Sequence, residues 1–262
     1  MSKPGASLPV HRVRFVDWSP SAITALALSP VAWTESAAAG RSVLAIGRDN
    51  GNIDLCTWCE GQSGSIAQGW SPVWTLLGEE NYKIESLAFT ASASHLRLFS
   101  TSGGSIVSEH FLPSSLTGQQ AADTRTPTRT LSSHGGAIWS MAASPTGKFL
   151  AIGCEDGVVR LIDVAGDAFE HVGTGMHVAP RMTRVASRIL SLAWGPPRRQ
   201  MATSNDSDDD DDEAWRDTYL LGGLGNSTAA VWDVPTGQLK SRLTVLKLSL
   251  IHISEPTRRT PI

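Results

Sequence analysis

Three groups of residues in this 262-residue chain have types and spacings that could do chemistry. Cys56-Thr57-Trp58-Cys59 has the two-residue gap of a zinc or redox pair, because two thiolates so spaced can share one metal. No second pair and no neighbouring histidine accompanies it, and on a strand residues three apart point to opposite faces. Buried core cysteines are the better reading. His134, Ser140 and Asp156 supply the types of a base, a nucleophile and an orienting acid. Whether they could act together depends on the elements that carry them. Gly222-Gly223-Leu224-Gly225 is as glycine-rich as a phosphate loop, but no helix and no lysine follow it.

Charge offers a second set of candidates. Arg12 and Arg14 stand close together, as do Arg181, Arg184 and Arg188, and Arg198-Arg199 follow two prolines. Arginine forks bind phosphate well, so Arg12, Arg14, Arg184 and Arg188 are candidate contacts to RNA or to a partner. The formal net charge is −3, yet seven of the 25 acidic residues lie in one run, Asp206, Asp208 to Asp212 and Glu213. Outside that run the chain is mildly basic, which permits contact with nucleic acid without demanding it. Ser204 and Ser207 precede acidic residues, the context of acidophilic kinases, and are candidate phosphorylation sites that would act through a partner.

The elements around these residues are short apolar runs with regular punctuation. Ile138 to Ala143, Phe149 to Gly153 and Val158 to Val164 are separated by Pro145-Thr146-Gly147 and by Glu155-Asp156-Gly157. Asp-Gly between apolar runs predicts a type I′ hairpin, with positive φ at both central residues. The pattern occurs four times. Ile23-Thr-Ala-Leu, Ile84-Glu-Ser-Leu, Ile138-Trp-Ser-Met and Ile189-Leu-Ser-Leu open the units, at intervals of 61, 54 and 51 residues. Second runs follow at 43–47, 95–100, 149–153 and 219–223, and turns at Asn50-Gly51, Gly103-Gly104, Asp156-Gly157 and Asn226-Ser227. Runs this short, interrupted every few residues, exclude an amphipathic helix. The fold class is all-β: a WD-repeat β-propeller, here an incomplete arc of about four blades. In WD repeats the places of His134, Ser140 and Asp156 form a hydrogen-bond network that braces the blade, usually ending on a third-strand tryptophan. Ile162 stands at that tryptophan's place in the third unit. Ser191, Asn226 and Trp232 occupy the corresponding places in the fourth, which has no histidine. All six are therefore expected to be structural, with no catalytic residue, no metal and no cofactor.

The units exceed the roughly 40–45 residues of a compact WD repeat, so polar insertions are expected at 60–72 and 113–130, with a disordered acidic loop at about 202–214. Residues 1–9 read as an N-terminal tail and 10–247 as the partial propeller. No run of about 18 uninterrupted apolar residues exists, the first residues lack a secretory apolar segment, and three cysteines make no disulfide framework. A soluble intracellular protein is expected. Leu248 to Arg258, LSLIHISEPTR, resembles the translation of a transposase-type sequencing adapter across eleven residues. Residues 248–262 are therefore expected to be read-through, and the gene product to continue beyond about Val245 to at least seven blades.

Val10-His11-Arg12-Val13-Arg14-Phe15, Ile138-Trp139-Ser140-Met141-Ala142-Ala143-Ser144-Pro145, Gly153-Cys154-Glu155-Asp156-Gly157 and Ser187-Arg188-Ile189-Leu190-Ser191-Leu192, in this order, resemble the cirhin family. These are WD-repeat subunits of the t-UTP (UtpA) subcomplex of the small-subunit processome. The resemblance covers essentially residues 9 to 245; the long insertions and the acidic loop depart from it. It implies a non-enzymatic scaffold of the nucleus and nucleolus in ribosome biogenesis. Its implied partners are other t-UTP subunits and the 5′ external transcribed spacer of pre-rRNA, reached directly or through the complex. The implied roles are pre-rRNA processing, maturation of small-subunit rRNA and transcription of rDNA by RNA polymerase I. Neither a membrane nor a small-molecule substrate is implied. The competing readings are a WD-repeat adaptor of another pathway, such as a ubiquitin-ligase substrate receptor, and thirdly a propeller hydrolase.

Overall fold

The computed structural model describes residues 21–30, 42–59, 69–78, 82–91, 96–112, 129–173, 181–199 and 215–244. Their strands form four antiparallel sheets of four. The first holds β1 (Ile23–Leu28), β2 (Val43–Arg48), β3 (Ile53–Cys59) and β4 (Gly69–Leu76); the second β5 (Ser86–Ala91), β6 (Leu96–Thr101), β7 (Ile106–Phe111) and β8 (Arg129–Ser132). The third holds β9 (Ile138–Ala143), β10 (Phe149–Cys154), β11 (Val159–Asp163) and β12 (Glu170–His171). In the fourth, β13 (Ile189–Trp194) is followed by a two-stranded ribbon, β14 (Arg198–Arg199) and β15 (Trp215–Arg216). The sheet is then completed by β16 (Tyr219–Leu224), β17 (Thr228–Asp233) and β18 (Gln238–Thr244). The opening strands lie side by side in series, β1 against β5, β5 against β9 and β9 against β13. Four meandering sheets arranged radially about their first strands are four propeller blades.

The expected runs and the strands coincide closely, with three differences. The hairpin at Asp156-Gly157 is not type I′: only Gly157 has positive φ, 76°. Its N–H bonds to the Cys154 carbonyl at 3.2 Å, so a three-residue link with a left-handed last residue closes the turn. Gly51 (φ 86°) on the Arg48 carbonyl and Ser227 (φ 62°) on the Leu224 carbonyl repeat it. The insertion expected at 60–72 ends earlier, because residues 69–72 begin β4. There Trp70 stands opposite Trp58, with ring centroids 5.5 Å apart at 78°, and such cross-strand aromatic pairs favour strand over loop. Likewise 129–130 belong to β8, where Arg129 meets Glu109 across the ladder. The acidic loop, Arg12, Arg14, Ser204, Ser207 and residues 248–262 lie outside the described residues.

Core sits between the blades rather than within them. Val43, Ala45, Ile53 and Leu55 of the first sheet pack on Ile84, Leu96 and Leu98 of the second. Phe99 and Val107 continue onto Ile138, Leu150 and Ile152 of the third, and Ala151, Val159 and Leu161 onto Ile189, Leu220 and Trp232 of the fourth. A recurring fit sets the spacing. At two of the three boundaries, the first and the third, an isoleucine at the opening of one blade fills a notch left by a glycine on the second strand of the preceding blade; β6 has no glycine. A Cβ on Gly47 would lie 2.5 Å from Cγ2 of Ile84, and one on Gly153 would lie 2.7 Å from Cγ2 of Ile189.

Between the second and third blades a buried charged side chain accompanies the apolar packing. Arg97 is fully buried and ion-paired through Nε to the equally buried Glu109. Its other nitrogens donate to the carbonyls of Val164 (2.8 Å), Gly166 (2.7 Å) and Ala168 (2.7 Å) in the next blade. Arg129 supplies a second guanidinium to Glu109, at 2.6 Å. Such a network is stable only when complete, since removing one partner of a buried pair typically costs about 3–5 kcal/mol. Arg97→Ala is expected to destabilise the protein by that amount, read as a lower urea midpoint.

Beside this network, Ser100 Oγ and His110 Nε2 lie 2.9 Å apart. Burial drives the His110 pKa down from 6.5 to about 4, against the opposing pull of Glu109. A histidine depressed in the folded state contributes stability above its unfolded pKa and loses it as pH falls toward the folded value. The expected loss is about 2 kcal/mol between pH 7 and pH 5, and urea titrations of His110→Gln should lack this component.

Candidate interaction surface between the third and fourth blades

The sequence-predicted residues converge on one edge of the interface between these blades. The β10–β11 turn presents Glu155 and Asp156, the start of β9 presents Trp139, and residues 181–188 run up to β13. Arg160, near the start of β11, reaches back to Asp156 in a bidentate pair, Nη1 to Oδ1 at 3.0 Å and Nη2 to Oδ2 at 2.7 Å. Asp156 also accepts the Val158 N–H at 3.0 Å. Burial by itself would raise the Asp156 carboxyl; the Arg160 and Val158 hydrogen bonds outweigh it and hold the pKa below the usual range. The same pair raises Arg160 further. Arg160 Nη2 additionally donates to the His134 carbonyl at 3.1 Å. Gly135 leaves room for this guanidinium, since a Cβ there would stand 2.2 Å from Nη1.

Arg184 Nε donates to the Asp156 carbonyl at 2.8 Å, and the Val185 N–H to the Gly157 carbonyl at 2.9 Å. Trp139 is 39% exposed, its indole N–H bonds to Glu155, and the Arg188 guanidinium lies 4.7 Å from a ring centroid. A cleft of about 450 Å³ opens here, lined by Glu155, Asp156, Arg184, Val185, Ser187 and Arg242. Arg184 and Arg242 in the cleft can hold phosphate groups, and the exposed indole, which carries Arg188, can stack a planar group.

His134, Ser140 and Asp156 do not assemble as a catalytic triad. Ser140 is buried and its hydroxyl donates to the Ile189 carbonyl at 3.0 Å, across the blade boundary. The His134 ring faces His171, with centroids 5.2 Å apart, and its backbone is left-handed at φ 53°. Asp156 is held by Arg160. The three residues are thus linked to the blade edges separately, not to one another as a triad. In the fourth blade Ser191 is exposed. Asn226 Oδ1 accepts from its own turn, from Thr228 Oγ1 at 2.7 Å, and Trp232 Nε1 donates to the Thr183 carbonyl at 2.8 Å.

Sequence reasoning missed Arg160, Glu155, Arg242 and Thr183. Arg160 had a legible signal, a basic residue four places after the turn aspartate; Glu155 meets Trp139 through the pairing of strands within the third blade, and Arg242 and Thr183 take their places only in the folded fourth blade. Cys56 is buried, which raises its thiol pKa, with Asp54 adding to the effect. The side chain of Cys59 lies outside the described residues. On the opposite edge of the fourth blade Tyr219 carries Arg198 at 4.9 Å and Lys240 at 4.3 Å from its ring centroid. Lys240 Nζ donates to the hydroxyl at 2.6 Å, and this bond is the main cause of a lowered tyrosine pKa.

Residues 125–163, which span most of the third blade, match the WD domain, G-beta repeat family. The fold is a WD-repeat β-propeller. Two solved structures support the propeller fold alone. A chain of "Apo ctPRC2 in an autoinhibited state" aligns with TM-score 0.56 and 15% identity, over 81% of this chain and 38% of that one. A chain of the Chaetomium thermophilum polycomb repressive complex 2 aligns with TM-score 0.56 and 14% identity, over 81% and 37%. Among curated proteins, the propeller is 31% identical over 241 residues to U3 small nucleolar RNA-associated protein 4 of Schizosaccharomyces pombe, covering 91% of this chain and 28% of that protein. It is 30% identical to the Saccharomyces cerevisiae protein of that name (85% and 23%) and 30% identical to the Mus musculus homolog (75% and 23%). The chain thus spans about a quarter of the length of these relatives.

Asp156→Ala would leave Arg160 with carbonyl partners alone at this edge. Loss of a charged hydrogen-bonded pair predicts a destabilisation of about 1–2 kcal/mol, measured as a shift in urea midpoint with the slope unchanged.

Proposed function

We propose that this chain is a non-enzymatic scaffold in ribosome biogenesis, acting in the nucleolus to support pre-rRNA processing and maturation of small-subunit rRNA. The observation that carries the reading is the 31% identity over 241 residues, through all four blades, to a U3 small nucleolar RNA-associated protein. The proposed partners are the other t-UTP (UtpA) subunits of the small-subunit processome and the 5′ external transcribed spacer of pre-rRNA. Support for rDNA transcription by RNA polymerase I belongs to the same reading.

The site favours binding over catalysis, because Ser140 and Asp156 are engaged in bonds that hold blades together. Arg184 and Arg188 are the proposed RNA or partner contacts on the described surface, with Trp139 between the blades as a stacking platform. Arg12 and Arg14 are proposed to extend that contact, and Ser204 and Ser207 to be phosphorylated.

Affinity purification of the tagged chain from cells tests the reading. Processome subunits and 5′-spacer RNA are the expected company, whereas cullin components would point to a ubiquitin-ligase receptor and overturn it. Replacing Arg184 and Arg188 by glutamate should weaken RNA crosslinking and flatten its salt dependence, as each lost phosphate contact lowers the slope.

A further inference from the structure

One carboxylate at the edge between the third and fourth blades is left without a cation. Around the cleft and Trp139 the chain gathers Arg160, Arg184, Arg188 and Arg242 against two acids, Glu155 and Asp156. Asp156 is closed off by its bidentate pair with Arg160. Glu155 is exposed and in no salt bridge among the described residues. Its Oε2 accepts the Trp139 indole N–H, which leaves Oε1 unengaged.

The surplus of positive charge selects what can enter. Two carboxylates among four guanidiniums repel a cationic side chain and attract phosphate. Among phosphate-bearing ligands Glu155 then discriminates, because an ionised carboxylate only accepts hydrogen bonds. Guanine offers it two adjacent N–H donors, at N1 and N2, on the Watson–Crick edge. Adenine and cytosine place an acceptor nitrogen beside their one amino group there, and uracil has one N–H between two carbonyls. The indole bond also fixes where the carboxylate sits. An indole N–H lies in the plane of its ring, so Glu155 is held at the rim of Trp139, beside the edge of a base stacked on it.

We propose that this cleft binds a guanine nucleotide within single-stranded RNA, Glu155 accepting from the Watson–Crick edge of a base stacked on Trp139 while Arg184 and Arg242 hold flanking phosphates. The proposal rests on the reading of this edge as an RNA contact and adds a base preference to it. It requires an unpaired strand, since a guanine in a duplex has that edge occupied.

Fluorescence anisotropy on the purified full chain tests this, with short oligouridylates that differ only in one central base. The oligomer with a central guanine should bind about tenfold tighter than those with adenine, cytosine or uracil, within what one bidentate base contact discriminates. Glu155→Gln keeps an acceptor for the indole, and so the fold, and should remove the preference. Arg242→Gln should weaken all four oligomers alike, and annealing a complementary strand should abolish the preference. Equal binding of the four oligomers, or a preference that survives Glu155→Gln, would overturn the guanine assignment while the RNA contact stands. GMP binding as tightly as the oligomer would overturn RNA as the source of the base. Oligomers that fail to bind the unaltered chain, or bind undiminished when Arg184 and Arg188 are replaced by glutamate, would overturn the RNA contact itself and this proposal with it.

Discussion

Each sheet in this chain is apolar on both faces, and a four-stranded sheet by itself can bury neither of them. The consequence runs through the whole structure: a blade is stable only against a neighbour, as in other repeat architectures. The three apolar clusters therefore lie at blade boundaries, and the second-strand residues alternate between the blade behind and the blade ahead. Leu150 and Ile152 face the second blade while Ala151 faces the fourth. Glycines at Gly47 and Gly153 then set how closely two blades approach, because any side chain there would displace the incoming isoleucine.

Several polar groups at these boundaries are tied across them. Arg97 crosses from the second blade to three carbonyls of the third, Ser140 from the third to Ile189 of the fourth, and Trp194 Nε1 back to the Ala142 carbonyl at 2.9 Å. Such bonds have direction and reach, so they fix the rotation of one blade on the next, which aliphatic packing leaves softer. The arginines at the edge of the third and fourth blades inherit that rigidity. Arg184 and Arg188 stand on a segment pinned to the β10–β11 turn, so their charges are presented at set positions rather than on a wandering loop.

The candidate site was only partly legible beforehand. Asp156, Arg184 and Arg188 could be picked out by type and place; Asp156 and Arg184 meet, and Arg188 lies on Trp139. Arg160 and Glu155 link them within the third blade, while the Arg184 contact with the Asp156 carbonyl and the place of Arg242 in the cleft depend on which turn of one blade faces which segment of the next. His134 shows the other side of the same point. Its residue type suggested a side-chain role, but at φ 53° it is the carbonyl that reaches Arg160, while the ring turns to His171.

Sequence alone determined the first three strands of each blade and their order, whereas the fourth was legible only in the structure. These follow from local alternation and from turns such as Gly51 and Gly157, whose left-handed backbone requires little beyond the residues themselves. It also carried a resemblance to a family of WD-repeat proteins, through short strings such as Ile138 to Pro145. Only the tertiary structure decided which polar residues pair across blades and that β4 begins at Gly69. Arg97 meets Val164 across 67 positions and Ser140 meets Ile189 across 49, where the distance along the chain carries no information about who meets whom.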